Sequence, residues 1–211
     1  ARARAVAAVV AAGPAAVPAL REGLRAKDAA VRRGALEAFS RLPVPESLDA
    51  FLEAVFDPDP ESVRLATDAA RQRIAGLGDK DRLALLARLR KLVKKAPPAK
   101  EAAALAALMK LLGFLRRPEA VPDLLPWLGA KLPPAVRRSA VVSLEHLDPA
   151  GADPKAVAGA LLPLLEEADW SNLVAPALTV LGRIAVPKSL AAKVQALVAS
   201  QRTVPLDRTR P

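Results

Sequence analysis

The sequence predicts an all-α protein, a right-handed α-solenoid of about five antiparallel helical pairs. Three observations lead there. The chain is 52% hydrophobic but only 3% aromatic, with no Tyr, so Ala, Leu and Val must build the core. Ala and Leu are the strongest apolar helix formers, and strand-favouring aromatics are scarce. A phrase also recurs, Pro14-Ala-Ala-Val-Pro-Ala-Leu20 returning as Pro118-Glu-Ala-Val-Pro-Asp-Leu124. Val31-Arg32-Arg33 follows the first copy and Val136-Arg137-Arg138 the second.

The third observation is a register. Val31, Val63, Glu101, Val136 and Leu173 align, spaced by 32, 38, 35 and 37 residues. Seven residues after each stands Ala38, Ala70, Leu108, Ser143 or Val180, and eleven after, Leu42, Ile74, Leu112, Leu147 or Ile184. Offsets of 0, 4, 7, 8 and 11 mark one face of a helix. Each spacing has room for two helices and two short turns.

The first helix of each repeat is predicted to start near Pro14, Pro45, Lys80, Pro118, Pro154 and Pro187. Proline suits a first helical turn because its missing amide would be unpaired there anyway. Asp59-Pro60 and Asp153-Pro154 place a capping acid before such a proline, and Asp28, Asp79 and Ser171 are further cap candidates. Pro43, Pro97-Pro98 and Pro133-Pro134 punctuate the turns. Pro18, Pro122, Pro126 and Pro163 fall deeper, where a proline costs about 3 kcal/mol. The matched places of Pro18 and Pro122 predict a tolerated bend. The whole reads as one repeat domain over 1–200, with repeats near 14–43, 44–78, 79–117, 118–152 and 153–186. Partial repeats lie at 1–13 and 187–200, and 201–211 is a polar tail.

Asp57-Pro-Asp-Pro-Glu-Ser-Val-Arg64, followed by Ala66, Ala70 and Ile74, resembles the HEAT repeat. It looks more like the short HEAT-like variant of phycobilisome lyases. The resemblance covers roughly 1–200 and implies scaffolds and binding surfaces rather than one activity. It also implies that a turn acid and an Arg opening the second helix bridge adjacent repeats. Asp28 with Arg32 or Arg33, and Asp59 with Arg64, match that pattern. Arg137 and Arg138 match its basic half. Ala102 and Val174 stand at the Arg position of the other two repeats, so a continuous ladder is not expected.

Net charge is +10 and uneven: residues 79–100 hold eight Lys and Arg against Asp79 and Asp81. Such a surplus suits nucleic acid, an anionic membrane or an acidic protein, or reflects only the bias of a GC-rich genome. In the helix expected over 82–95, Leu85, Leu86, Leu89, Leu92 and Val93 form the buried stripe. Arg88, Lys91 and Lys95 share the opposite side, flanked by Arg90 and Lys94. No aromatic interleaves them, so base stacking is not expected, and nucleic-acid binding would be backbone-only and salt-sensitive. Family resemblance puts this first helix on the convex side. The concave side, made by second helices, would present Arg33, Arg64, Arg71, Lys110 and Arg138.

The residue inventory speaks against catalysis. There is no Cys, and His146 is the lone histidine, so thiolate chemistry and a His-rich metal site are excluded. Glu145 and His146 point about 100° apart on a helix. Gly113, Gly129, Gly159 and Gly182 are single, so no phosphate loop or dinucleotide fingerprint appears. Glu166-Glu167 reads as a solvated helix end. A HEAT-like DNA glycosylase would use Trp and Asp on a basic surface, which draws attention to Trp127 with Asp123 and Trp170 with Asp169. We read both Trp as filling gaps at repeat ends. A lyase role has only fold resemblance behind it.

No cofactor or metal is expected. No apolar run is long enough to cross a bilayer, and Ala1–Ala12, although Arg2 and Arg4 give it the look of a leader, fits a repeat helix. The expected role is a non-catalytic, cytoplasmic scaffold inside a longer protein, of which this chain is a fragment. Its partner is expected to be another protein with an acidic surface, and the alternative is nucleic acid.

Overall fold

The computed structural model describes residues 2–96, 101–167 and 170–202. Pro97-Pro98, Asp169 and the tail from 203 lie outside the described residues, as do the side chains of Trp170 and Ser171. Every regular element among the described residues is helical. The chain divides into two compact units, residues 1–115 and 116–211.

In the first unit, α1 (Arg2–Ala11) packs on α3 (Ala29–Arg41), which pairs with α2 (Val17–Leu24). Next come the pair α4 (Glu46–Ala54) and α5 (Pro60–Ala75), and the pair α6 (Asp79–Lys95) and α7 (Ala102–Phe114). The second helices α3, α5 and α7 lie side by side in that order. This is α-solenoid stacking: each pair leaves an apolar stripe that its neighbour covers.

The register positions are that stripe. Ala35, Ala38, Phe39 and Leu42 are buried on the first repeat, Val63, Thr67, Ala70 and Ile74 on the second, and Leu105, Leu108, Met109 and Leu112 on the third. Val31, at the start of the first stripe, is 48% exposed. Helix α7 is extreme, with every residue from Ala104 to Met109 buried, and Leu111 and Leu112 as well.

The second unit repeats the plan in shorter pieces. A 3-10 turn Pro118–Ala120, α8 (Val121–Leu124) and a second turn Leu125–Leu128 together form one first-helix position. They pack on α9 (Pro134–His146). Then α10 (Pro154–Leu161) runs into a 3-10 turn Leu162–Glu166, and a π turn Trp170–Val174 leads into α11 (Ala175–Leu181). Helix α12 (Lys188–Arg202) follows.

The deep prolines explain the fragmentation. Pro18, Pro122, Pro126 and Pro163 each occupy the second residue of a new helical segment, in α2, in α8 and in the turns 125–128 and 162–166. At each of these places the backbone changes winding between 3-10 and α, so a regular i→i−4 ladder is already interrupted there. The bend foreseen at Pro18 and Pro122 is therefore a change of winding between 3-10 and α.

The caps are mostly where the sequence put them. Asp28 accepts from the Ala30 amide at 2.7 Å, Asp59 from Ser62 at 2.9 Å and Asp153 from Lys155 at 3.0 Å. Asp79 differs: Gly78 precedes α6 and Asp79 is its first residue, where an acid still favours the positive end of the helix dipole.

After α7 the chain turns through Arg116, whose φ of 50° is the one left-handed non-glycine conformation among the described residues. A side chain there costs about 1–2 kcal/mol, and glycine usually takes the position. Arg116→Gly relieves this strain but frees the unfolded chain, so a net gain of about 0.5–1 kcal/mol is expected in urea unfolding.

Candidate functional site

The polar side chains of the stacked pairs divide into those spent on joining repeats and those left over. Arg32, one residue past the register position, makes a two-pronged pair with Asp57 in the turn of the next repeat, at 2.7 and 2.9 Å. Its third nitrogen donates to the carbonyls of Ala26 and Lys27. Arg33 reaches Asp59 at 2.9 Å. Both partners are acids one repeat ahead, whereas Asp28 is occupied in capping α3. In the second unit, Arg137 repeats the move, donating to Glu167 at 2.6 Å and to the Leu128 carbonyl. Arg138 contacts the Asn172 side chain at 3.3 Å.

Arg64 departs from the expected bridge. It pairs with Glu61 and Asp68 of its own helix rather than with Asp59. Between α6 and α7 the sequence 96–101 holds only Glu101 as an acid. Asp59 is already shared by Arg33 and Ser62, which gives the pair a local choice of partner.

A second set of bonds runs backwards and escaped the sequence reading. Arg73, ten residues past the register position, donates to the carbonyls of Phe39, Ser40 and Leu42 at the end of α3. Arg183 holds the same offset and donates to the Glu145 carbonyl near the end of α9. Each places a cation on the unpaired carbonyls of the previous repeat, where the helix dipole is negative. Leu111 takes this place in the third repeat. Arg82 instead joins the ends of α5 and α7 through the carbonyls of Ala75, Leu77 and Leu115. The signal was present as Arg41, Arg73, His146 and Arg183 at one shared offset.

What remains is the candidate surface. Of the second-helix cations in the first unit, Arg33 and Arg64 are neutralised as described, and Arg71 sits 5.2 Å from the centre of the Phe114 ring. Lys110 is exposed on α7. A continuous basic stripe along α3, α5 and α7 is therefore interrupted by Asp59, Glu61 and Asp68.

Helix α6 keeps more of its charge. Leu85, Leu86 and Leu89 are buried, Leu92 and Val93 half-buried, and Arg88, Arg90, Lys91, Lys94 and Lys95 all exposed. Arg88 pairs with Asp49 of α4 at 2.5 Å, and Arg90 also has a partner. Lys94 and Lys95 lie in the last turn, where cations suit the helix end.

Between α2, α4 and α6 lies an open hollow of about 530 Å³, bordered by Arg21, Glu53, Phe56, Lys91, Leu92 and Lys95. It shares Arg21, Glu53 and Phe56 with a second hollow of about 330 Å³ that continues towards Arg25 and Asp57.

The enzyme-like residues are not assembled. His146 is exposed at the last residue of α9, and Trp127 is half-buried in a 3-10 segment separate from the short helix that carries Asp123. Asp123 has a partner of its own. No group of His, Cys, Asp or Glu suited to a metal is found among the described residues. No described helix is long and apolar enough to cross a membrane.

The family model described as HEAT repeats matches residues 1–71, which span α1 to α5. Over those residues the chain is similar to HEAT repeats. A crystal structure of an engineered protein is similar at 19% identity, covering 86% of this chain and 87% of that one, with a TM-score of 0.45. That likeness is too slight to bear on function. No curated protein matches the chain. HEAT repeats are generally non-catalytic interaction modules.

Two measurements test the joints between repeats. Arg137 is 6% exposed, and Arg137→Ala leaves the Leu128 carbonyl and Glu167 without their donor. A loss of about 2 kcal/mol in urea unfolding is expected, while exposed Arg64→Ala leaves the midpoint nearly unchanged. Asp59 provides a pH test. The Ser62 hydroxyl first, then the Ser62 amide and Arg33, hold its carboxyl below the usual range. A carboxyl depressed in the folded state stabilises above its unfolded pKa and loses that contribution as pH falls through the folded one. Stability should therefore decline as pH drops below about 4, and Asp59→Asn should flatten that decline while lowering stability at neutral pH.

Proposed function

We propose that this helical-repeat chain is a non-catalytic scaffold that docks an acidic protein partner within a larger protein or assembly. The observation carrying this reading is the division of its cations. Arg32, Arg33, Arg73, Arg82, Arg137 and Arg183 fasten repeats or helix ends. Lys91, Lys94, Lys95 and Lys110 stand exposed on the fastened frame. A frame whose joints are bonded presents those charges at fixed spacing, so a partner loses little entropy in ordering them. The partner is a protein because exposed charge sits beside half-buried Phe56 and Leu92, which phosphates would leave uncovered.

Nucleic-acid binding is the rival, favoured by the net charge of +10. Salt separates the two, since phosphate contacts weaken steeply with ionic strength. Anisotropy of a labelled DNA duplex is expected to show weak binding at about 50 mM salt and none at about 200 mM. Protein captured on the domain at the higher salt should saturate at a fixed stoichiometry. Submicromolar duplex binding that survives at about 200 mM, and vanishes when Arg88, Lys91 and Lys95 are reversed to Glu, would replace the scaffold reading.

A further inference from the structure

The paired hollows across α2, α4 and α6 form one track over three successive first helices, joined where Arg21, Glu53 and Phe56 border both. Its cause is visible in the helix lengths. Helix α6 has 17 residues and α4 has 9, so α6 is longer by about 12 Å. Arg88 and Asp49 tie the two helices at one level. Beyond that tie the C-terminal turns of α6 face the end of α4 across open space.

The track has a definite chemistry. Arg21, Arg25, Lys91 and Lys95 border it with no ion-pair partner among the described residues, against the single unpaired carboxylate Glu53. Dipole compensation accounts for Lys95 but not for Lys91, which lies more than a turn from the helix end. Between the cations run Phe56 and Leu92, both half-buried, over buried Leu52. Arg25 marks one end and Lys91 and Lys95 the other, with Arg21, Glu53 and Phe56 at the joint, so the track calls for a ligand of mainly acidic charge that carries an apolar group.

We propose that this track binds an extended acidic segment of a partner protein, with carboxylates meeting Arg21, Arg25 and Lys91 and one large apolar side chain seated on Phe56 and Leu92. This names the surface behind the scaffold function and rests on that reading. A hollow of about 530 Å³ admits side chains of a peptide, whereas a duplex is far too wide to enter.

The test uses the full chain and a labelled synthetic peptide of alternating Glu and Ser around one central Phe, followed by anisotropy at roughly 100 mM salt. Saturable binding is expected. The Arg21→Glu/Lys91→Glu variant should weaken it by at least about tenfold, and the exposed single change Lys91→Glu by about threefold, with helical circular dichroism unchanged. Replacing the peptide Phe by Ser should cost about fivefold, and Lys110→Glu on α7 less than about twofold. Absence of saturable binding overturns the proposal, as does equal loss from Lys110→Glu or tighter binding of a single-stranded DNA of equal charge. Should the peptide fail while the domain still captures a protein partner, the track is wrong and the scaffold reading stands. Should both fail, the scaffold reading falls with it.

Discussion

A helical pair cannot bury its own second face, and every other feature of this chain follows from that constraint. The uncovered stripe must be met by the next pair, so helix ends of neighbouring repeats are brought level and their unpaired carbonyls and amides are crowded together. Water is partly displaced from those ends, and side chains must take over its hydrogen bonds. Arginine suits the task, with five donors in a planar fork that can serve a carboxylate and several carbonyls at once. Arg32 does both, through Asp57 and through Ala26 and Lys27.

The joints therefore have direction. Arg32, Arg33 and Arg137 reach forward to the next turn, and Arg73 and Arg183 reach back to the previous helix end. Where both are present, as between the first two repeats, the interface is fastened at the start and at the finish of its second helices. That leaves the exposed faces free of structural duty. Helix α6 carries five exposed cations in a stretch of eight residues, 88–95, over buried Leu85, Leu86 and Leu89.

Much of this was legible in the sequence. The apolar register fixes which face of α3, α5, α7, α9 and α11 is buried, because burial follows a period that single residues cannot disguise. The cap acids Asp28, Asp59 and Asp153 were readable for the same local reason. Two things were not. The partner of Arg32 depends on which turn lies opposite after stacking, and sequence proximity favoured Asp28 over Asp57. The prolines at 18, 122, 126 and 163 looked like interior defects because helix boundaries shorter than two turns leave no periodic trace. The track beside α6 was half legible: its charges were plain, but Arg21, Glu53 and Phe56 belong to other helices and meet α6 only after folding.

The third repeat is irregular, with Ala102 where its neighbours carry Arg64 and Arg137, Leu111 where they carry Arg73 and His146, and Arg82 in a role of its own. Repeat arrays grow and shrink by duplication and loss of whole segments, and a segment is exchangeable only if its edges match any neighbour. The facing edges of the first two repeats match, with Arg32 and Arg33 reaching forward and Arg73 reaching back. The pair α6 and α7 does not, because α7 offers no forward or backward arginine and depends on Arg82 arriving from α6. Copied elsewhere in the array, it would bring an unfastened seam.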